Sequence, residues 1–223
     1  MSIVLAFDCA VTGLGVAVLR REVCLARASA PGRDQAARLF PVIEEVLAEA
    51  GVARRDIDLV AATIGPGSFT GVRIGLSAAR GLALALAVPL AGLATTSVLL
   101  RQARGERAVA VIDSRLGDWF CALSGADERP FLATTEGLAA RLKGQRIVLV
   151  GAEADALGDA LRGQGIEVAG QPELPDAATL GRLALAGGIE AWRVRNAREG
   201  MPRPLYLRGV SVTSPDGTRC TVE

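Results

Sequence analysis

Two aspartates close apolar runs: Asp8 follows Val4, Leu5 and Phe7, and Asp113 follows Val109, Val111 and Ile112. An acid at the end of a buried strand has two uses. Facing its counterpart across a cleft, it could hold Mg²⁺ for ATP-dependent or sugar-kinase-like chemistry, because hard cations take carboxylate oxygens. Alternatively it accepts Asx-type hydrogen bonds from its own turn. The residues leave both open. The 223 residues include no histidine, which removes the usual general base, the usual zinc ligand and every Ser-His or Cys-His nucleophile pair, while carboxylate chemistry stays possible. No catalytic residue and no metal site is assigned. Cys9, Cys24, Cys121 and Cys220 are scattered without a CxxC pair, which fits thiols in a reducing cytoplasm better than a disulfide framework or a zinc site.

The second candidate is GPGSFTGVRIG, Gly65 to Gly75. Gly65, Gly67, Ser68 and Thr70 before a long apolar helix suggest an anion site, since unpaired N–H groups and the helix dipole point outward there. The specific nucleotide patterns are missing, however. Val72 stands where a Walker lysine belongs, and Thr70 where the last glycine of GxGxxG belongs. Beyond the loop, Gly71, Gly75, Ala79 and Ala83 recur every four residues and line one helix face, a trough that admits a closely packed neighbour. The neighbour is either another protein or the chain's own sheet. Arg73, Ser77, Arg80 and Leu84 form an adjacent stripe that could meet a partner.

The elements that would position these residues come in two similar sets. Ile3 to Leu19 reads as strand, glycine turn and returning strand, and Ala108 to Leu123 repeats the pattern with Gly117 in the turn. DLVAATIGPGS and RIVLVGAEADAL each run from an apolar strand through glycine into a helical pattern. A duplicated α/β chain with mixed sheets follows, divided into lobes at 1–101 and 102–223. Asp34 to Ala50 predicts a helix with an Asp34 cap, Pro41 inside and Gly51 beyond its end. Ala177 to Ala197 predicts another, broken at Gly187 and Gly188. The tail after Ser211, with Pro215, Asp216 and Gly217, is expected to fray.

Half the residues are hydrophobic and 4% aromatic, so aliphatic side chains must build the core. The formal net charge of +1 supplies no global field for nucleic acid or membrane. Arg193, Arg195, Arg198, Arg203 and Arg208 could meet phosphate, but scattered arginines are more often solvated or paired. The uncharged window Gly81 to Leu100 is divided by Pro89 and Gly92 and reads as helix, turn, strand and helix start, not a membrane span. MSIVLAFD lacks the basic start of a signal peptide and reads as a strand.

FDCA, GPGSFTGVRIG with the following GLAL, IDSRLGDWF and PLYLR (Pro204 to Arg208) together resemble the TsaB family over nearly the whole chain. The resemblance implies the two-lobed actin-like ATPase fold (ASKHA, ribonuclease H-like). It also implies a non-catalytic scaffold that binds and activates TsaD, the subunit that transfers threonylcarbamoyl to the adenosine next to the tRNA anticodon. The ATPase TsaE joins the assembly, a homodimer forms when TsaD is absent, and tRNA contact is indirect. The family's pattern places the TsaD contact on Leu39, Ile43, Val46, Gly71, Val72, Gly75, Leu76 and Ala79. It implies no tightly bound cofactor, leaves room for a nucleotide at the subunit boundary, and places the protein in the cytoplasm. Older glycoprotease names in the superfamily do not suit a chain without histidine. Gln35 stands near a position where relatives often keep histidine.

Overall fold

The computed structural model describes residues 2–32, 34–125, 127–208, 210–213 and 219–222. The apolar run Ile3–Asp8 forms β1, which is buried at every position. It turns into β2 (Leu14–Arg20) through Gly13, whose φ of 74° suits glycine. β3 (Val23–Ala30) completes an antiparallel meander. After α1 (Gln35–Glu49), β4 (Leu59–Thr63) lies parallel to β1, and α2 (Phe69–Leu86) crosses over to the parallel β5 (Leu90–Leu93). The sheet order is β3-β2-β1-β4-β5.

The second half repeats the design. α3 (Thr95–Gln102) leads to β6 (Ala108–Asp113), β7 (Trp119–Leu123) and β8 (Phe131–Ala133), then α4 (Thr135–Leu142), β9 (Arg146–Val150), α5 (Ala154–Arg162) and β10 (Glu167–Gln171). Its order, β10-β9-β6-β7-β8, is that of the first sheet read from the other side. β6 pairs antiparallel with β7 and parallel with β9, as β1 does with β2 and β4. α6 (Ala177–Ala186) and α7 (Ile189–Glu199) are separated at Gly187 and Gly188, where the sequence places the break. Val210–Thr213 and Arg219–Val222 pair as β11 and β12. Pro215, Asp216 and Gly217 lie outside the described residues.

The alternation of β1 assigns its two faces. Ile3, Leu5 and Phe7 join Leu39, Ile43 and Val46 of α1 and Leu76 and Ala79 of α2 in one core. Val4 and Ala6 point the other way, into a cluster with Leu180 and Ala184 of α6 and Trp192 of α7. That face is rich in alanine because α6 comes close: a Cβ on Gly181 would lie 2.4 Å from a Leu19 methyl carbon. The lobes thus exchange helices. α6 and α7 lie beyond the expected dividing line yet cover the first sheet, while Leu99 and Leu100 of α3 pack with Ala108, Ala110 and Ile112 of the second. α7 also closes the edge of the first sheet, where the Asn196 amide accepts from Leu90 N (2.7 Å) and donates to Leu90 O (3.1 Å).

The window Gly81 to Leu100 resolves into the end of α2, a turn, β5 and the start of α3. By length and composition α2 could cross a membrane, but its residues Val72, Leu76, Ala79 and Ala83 are buried in the chain's own core. Asp34 occupies the cap position of α1 without the expected capping bond. Gln35, the next residue, instead sends its side-chain amide inward to Cys9 O (3.2 Å) and Gly13 O (2.6 Å).

Candidate functional site

Three segments meet at the end of β1, namely the β1–β2 turn, the start of α1 and the GPGSFTG loop, and a strap from Met201 to Arg208 lies against that loop and α2. The glycines of the loop answer to close backbone approach. A Cβ on Gly67 would lie 2.1 Å from Ala10 O, and one on Gly71 2.0 Å from Cys9 O. Gly65, at φ 101°, faces Leu205 O of the strap, 3.0 Å from where its Cβ would be. Two of the loop's donors are engaged inside the chain, Ser68 N with Ala10 O (2.6 Å) and Gly71 N with the capping hydroxyl of Ser68 (3.2 Å). Gly65 and Gly67 thus pack against the chain's own backbone, while Ser68 and Thr70 are exposed at the start of α2.

The small-residue stripe follows the same logic. Gly71, Val72, Gly75, Leu76 and Ala79 are buried, as are Leu39, Ile43 and Val46 of α1. A Cβ on Gly75 would stand 3.3 Å from the Cys9 Cβ. This corrects the assignment of these eight positions to a partner contact: they pack α1 and α2 onto their own sheet, and the trough is filled by Cys9. The outward surfaces carry other residues. On α1, Phe40 is 48% exposed; on α2, Phe69 is 46% and Leu84 75% exposed, alongside Arg73 and Ser77.

Over the start of α2, residues far apart in sequence build one cluster. The Arg73 guanidinium carbon lies 3.7 Å from the Phe69 ring centroid and 5.8 Å from that of Tyr206, and Arg73 Nε donates to the Tyr206 hydroxyl (2.8 Å). The strap that delivers Tyr206 is fixed by Leu205 N to Ile64 O (2.7 Å) and by Arg80 Nε and Nη2 to Pro202 O (3.1 and 2.5 Å). Sequence reasoning placed Arg73 on an outward stripe but had no signal linking it to Tyr206. The two are 133 residues apart.

The strand-end acids serve their turns. Asp8 is buried, and its Oδ1 accepts from Ala10 N (3.1 Å) and the Thr63 hydroxyl (2.5 Å). Burial pushes its carboxyl up to about 6 from 3.8, against the lowering effect of those two bonds. Asp113 Oδ1 accepts from Arg115 N (2.7 Å), and its Oδ2 pairs with Arg115 Nη1 (3.2 Å). Arg115 also holds Glu153 (2.9 Å). Each aspartate thus bonds the backbone N–H two residues on, and Asp113 is neutralised besides. Among the described residues no three His, Cys, Asp or Glu side chains gather as a metal site. Burial raises the Cys9 thiol to about 12, so it remains protonated at neutral pH. Of the C-terminal arginines, Arg193 pairs with Glu190, Arg198 with Glu199 and Arg208 with Asp118, while Arg195 lies over the Trp192 ring.

Two mixed sheets of identical order, each with a strand-end aspartate in its first hairpin, define the two-lobed actin-like ATPase class of fold. A family model described as TsaD, tRNA N6-adenosine threonylcarbamoyltransferase, matches residues 30–193. The tRNA threonylcarbamoyladenosine biosynthesis protein TsaB of Escherichia coli (strain K12) is 34% identical over 129 residues, 56% of this chain and 56% of that protein. The matched stretch spans about half the length of the curated relatives, 50% to 57% for the three TsaB proteins of Escherichia coli, Buchnera aphidicola and Haemophilus influenzae. In structure, YeaZ from Pseudomonas aeruginosa superposes with a TM-score of 0.69 at 29% identity, over 93% of this chain and all (100%) of that one. A crystal structure described as an uncharacterized protein with similarity to peptidase YEAZ from the same organism superposes at 0.73 and 28%, over 93% and 100%. The chain belongs to the family of the threonylcarbamoyltransferase model and, within it, to the TsaB group.

Proposed function

We propose that this chain is a non-catalytic scaffold subunit that binds and activates TsaD for threonylcarbamoyl transfer to the adenosine next to the tRNA anticodon. The observation that carries the proposal is the solvent side of the α1–α2 pair, where Phe40, Phe69 and Leu84 stand exposed in a TsaB-group chain. Large exposed apolar side chains on adjacent helices suit a protein contact, since covering them gains roughly 25 cal/mol per Å². TsaE joins the assembly, and without TsaD a second copy of the chain takes the same face. The complex works in the cytoplasm, needs no cofactor resident in this subunit, and contacts tRNA through TsaD. The engagement of Asp8 and Asp113 in their own turns supports this reading over an independent ATPase or kinase.

Reconstituted tRNA modification with TsaD and TsaE, with this chain supplied or withheld, tests the proposal. Leu84→Asp, in the last turn of α2, should leave the chain folded at a cost of about 1 kcal/mol, while abolishing co-purification with TsaD and lowering modification to the level without the chain. Full modification in its absence, or submillimolar ATP binding by the isolated chain that Asp8→Asn removes, would overturn it.

A further inference from the structure

Arg73 differs from most ion-pairing arginines of this chain in how it is held. Arg54, Arg101 and Arg115 each meet a carboxylate of their own chain, Glu44, Glu128 and Asp113. Arg73 meets none among the described residues, although it projects from the exposed face of a helix that carries two arginines and no carboxylate. Its guanidinium is nonetheless fixed. The Phe69 ring supports one face at 3.7 Å, and the Tyr206 hydroxyl takes Nε at 2.8 Å. The two rings lie 5.6 Å apart. Much of the rotamer freedom that an arginine surrenders on binding is already gone. What remains is the pair of Nη groups, with no hydrogen-bond partner among the described residues.

A guanidinium with its plane set and its Nη edge unengaged has the fork geometry that takes a carboxylate through two parallel N–H···O bonds. We infer that Arg73 is the polar anchor of the α1–α2 docking face. It receives an aspartate or glutamate side chain of the protein partner at its Nη edge, beside the Phe69 and Tyr206 rings that hold its plane. The inference rests on the reading of that face as the TsaD contact and adds the chemistry the partner must present: a carboxylate beside an aliphatic patch that covers Leu84. An RNA phosphate would suit a guanidinium too, but RNA sites line up several cations. Here the second arginine of α2, Arg80, is turned into the strap at Pro202 O, so Arg73 stands as a single outward cation on this helix, beside the exposed Phe69 and Tyr206 rings.

The test is the affinity of the purified full chain for purified TsaD at low and moderate salt, with thermal melts to confirm folding. Arg73→Gln should weaken binding at least tenfold and flatten its salt dependence. Arg73→Lys, which keeps the charge and loses the fork, should recover little. Tyr206→Phe, which releases Nε while leaving the charge, should weaken binding several-fold, mainly through faster dissociation. If Arg73→Gln binds within twofold of wild type while Leu84→Asp fails to bind, the face stands and the anchor is refuted. If Leu84→Asp also binds normally, the docking face itself is refuted. Loss of tRNA affinity with TsaD affinity unchanged would overturn the choice of a protein carboxylate.

Discussion

Asp8 makes the folding stability of this chain depend on pH in a direction opposite to that of most carboxylates. Its folded-state value of about 6 lies above the ordinary 3.8, so folding favours the protonated acid. The stability it contributes is complete below about pH 4 and is lost as pH rises through about 6. A shift of about two units at about 1.4 kcal/mol each corresponds to roughly 3 kcal/mol. Asp8→Asn keeps an Oδ1 acceptor for Ala10 N and the Thr63 hydroxyl and removes the charge. Urea unfolding of both proteins from pH 4 to pH 8 should therefore show the variant gaining on the wild type by about 3 kcal/mol across the range. Carbon-13 NMR of the Asp8 carboxyl should titrate near 6. A stability difference that stays constant with pH within about 0.5 kcal/mol, or a carboxyl midpoint near the ordinary aspartate value, would refute the reasoning.

Three further outcomes follow from the packing around β1 and β5. Gly71→Ala forces a Cβ to within 2.0 Å of the Cys9 carbonyl oxygen, whereas Gly75→Ala meets the Cys9 Cβ at 3.3 Å. Denaturation should show a loss of about 3 kcal/mol or more for the first and about 1 kcal/mol or less for the second. Asn196→Ala removes both amide bonds to the Leu90 backbone and should cost about 1–3 kcal/mol, with faster hydrogen exchange in β5. Cys9, buried and raised to about 12, should resist iodoacetamide at pH 8 while folded and react once unfolded, as mass spectrometry of the labelled peptide would show.

The repeat was legible because its signals are local. An apolar run, a strand-end aspartate and a glycine turn recur around Asp8 and Asp113, and each local pattern folds as written. The same locality explains what was misread on α2. Small residues every four positions specify close approach but not what approaches; that depends on Cys9, which the end of β1 brings in from far earlier in the sequence. Phe40 looks like a core residue by type and is exposed, whereas Leu84 is exposed on the stripe where its spacing places it, because α1 and α2 are apolar on more of their circumference than the sheet can cover. Tyr206 joins Arg73 only through the strap, a contact with no periodicity to announce it. Gln35 likewise bonds the Cys9 and Gly13 carbonyls, contacts across the lobe that no local pattern announces.

The exchange of helices between the lobes bears on how the chain could be divided. Cleavage in ARGER, residues 103–107 between α3 and β6, would leave the N-terminal piece without the α6 that covers Val4, Ala6 and Leu19, and the C-terminal piece without the Leu99 and Leu100 that cover Ala110 and Ile112. Each fragment would carry a sticky helix meant for the other. Expressed apart, the halves should be insoluble; mixed, they should recombine into one particle, which makes this loop a natural seam for a split-protein reporter.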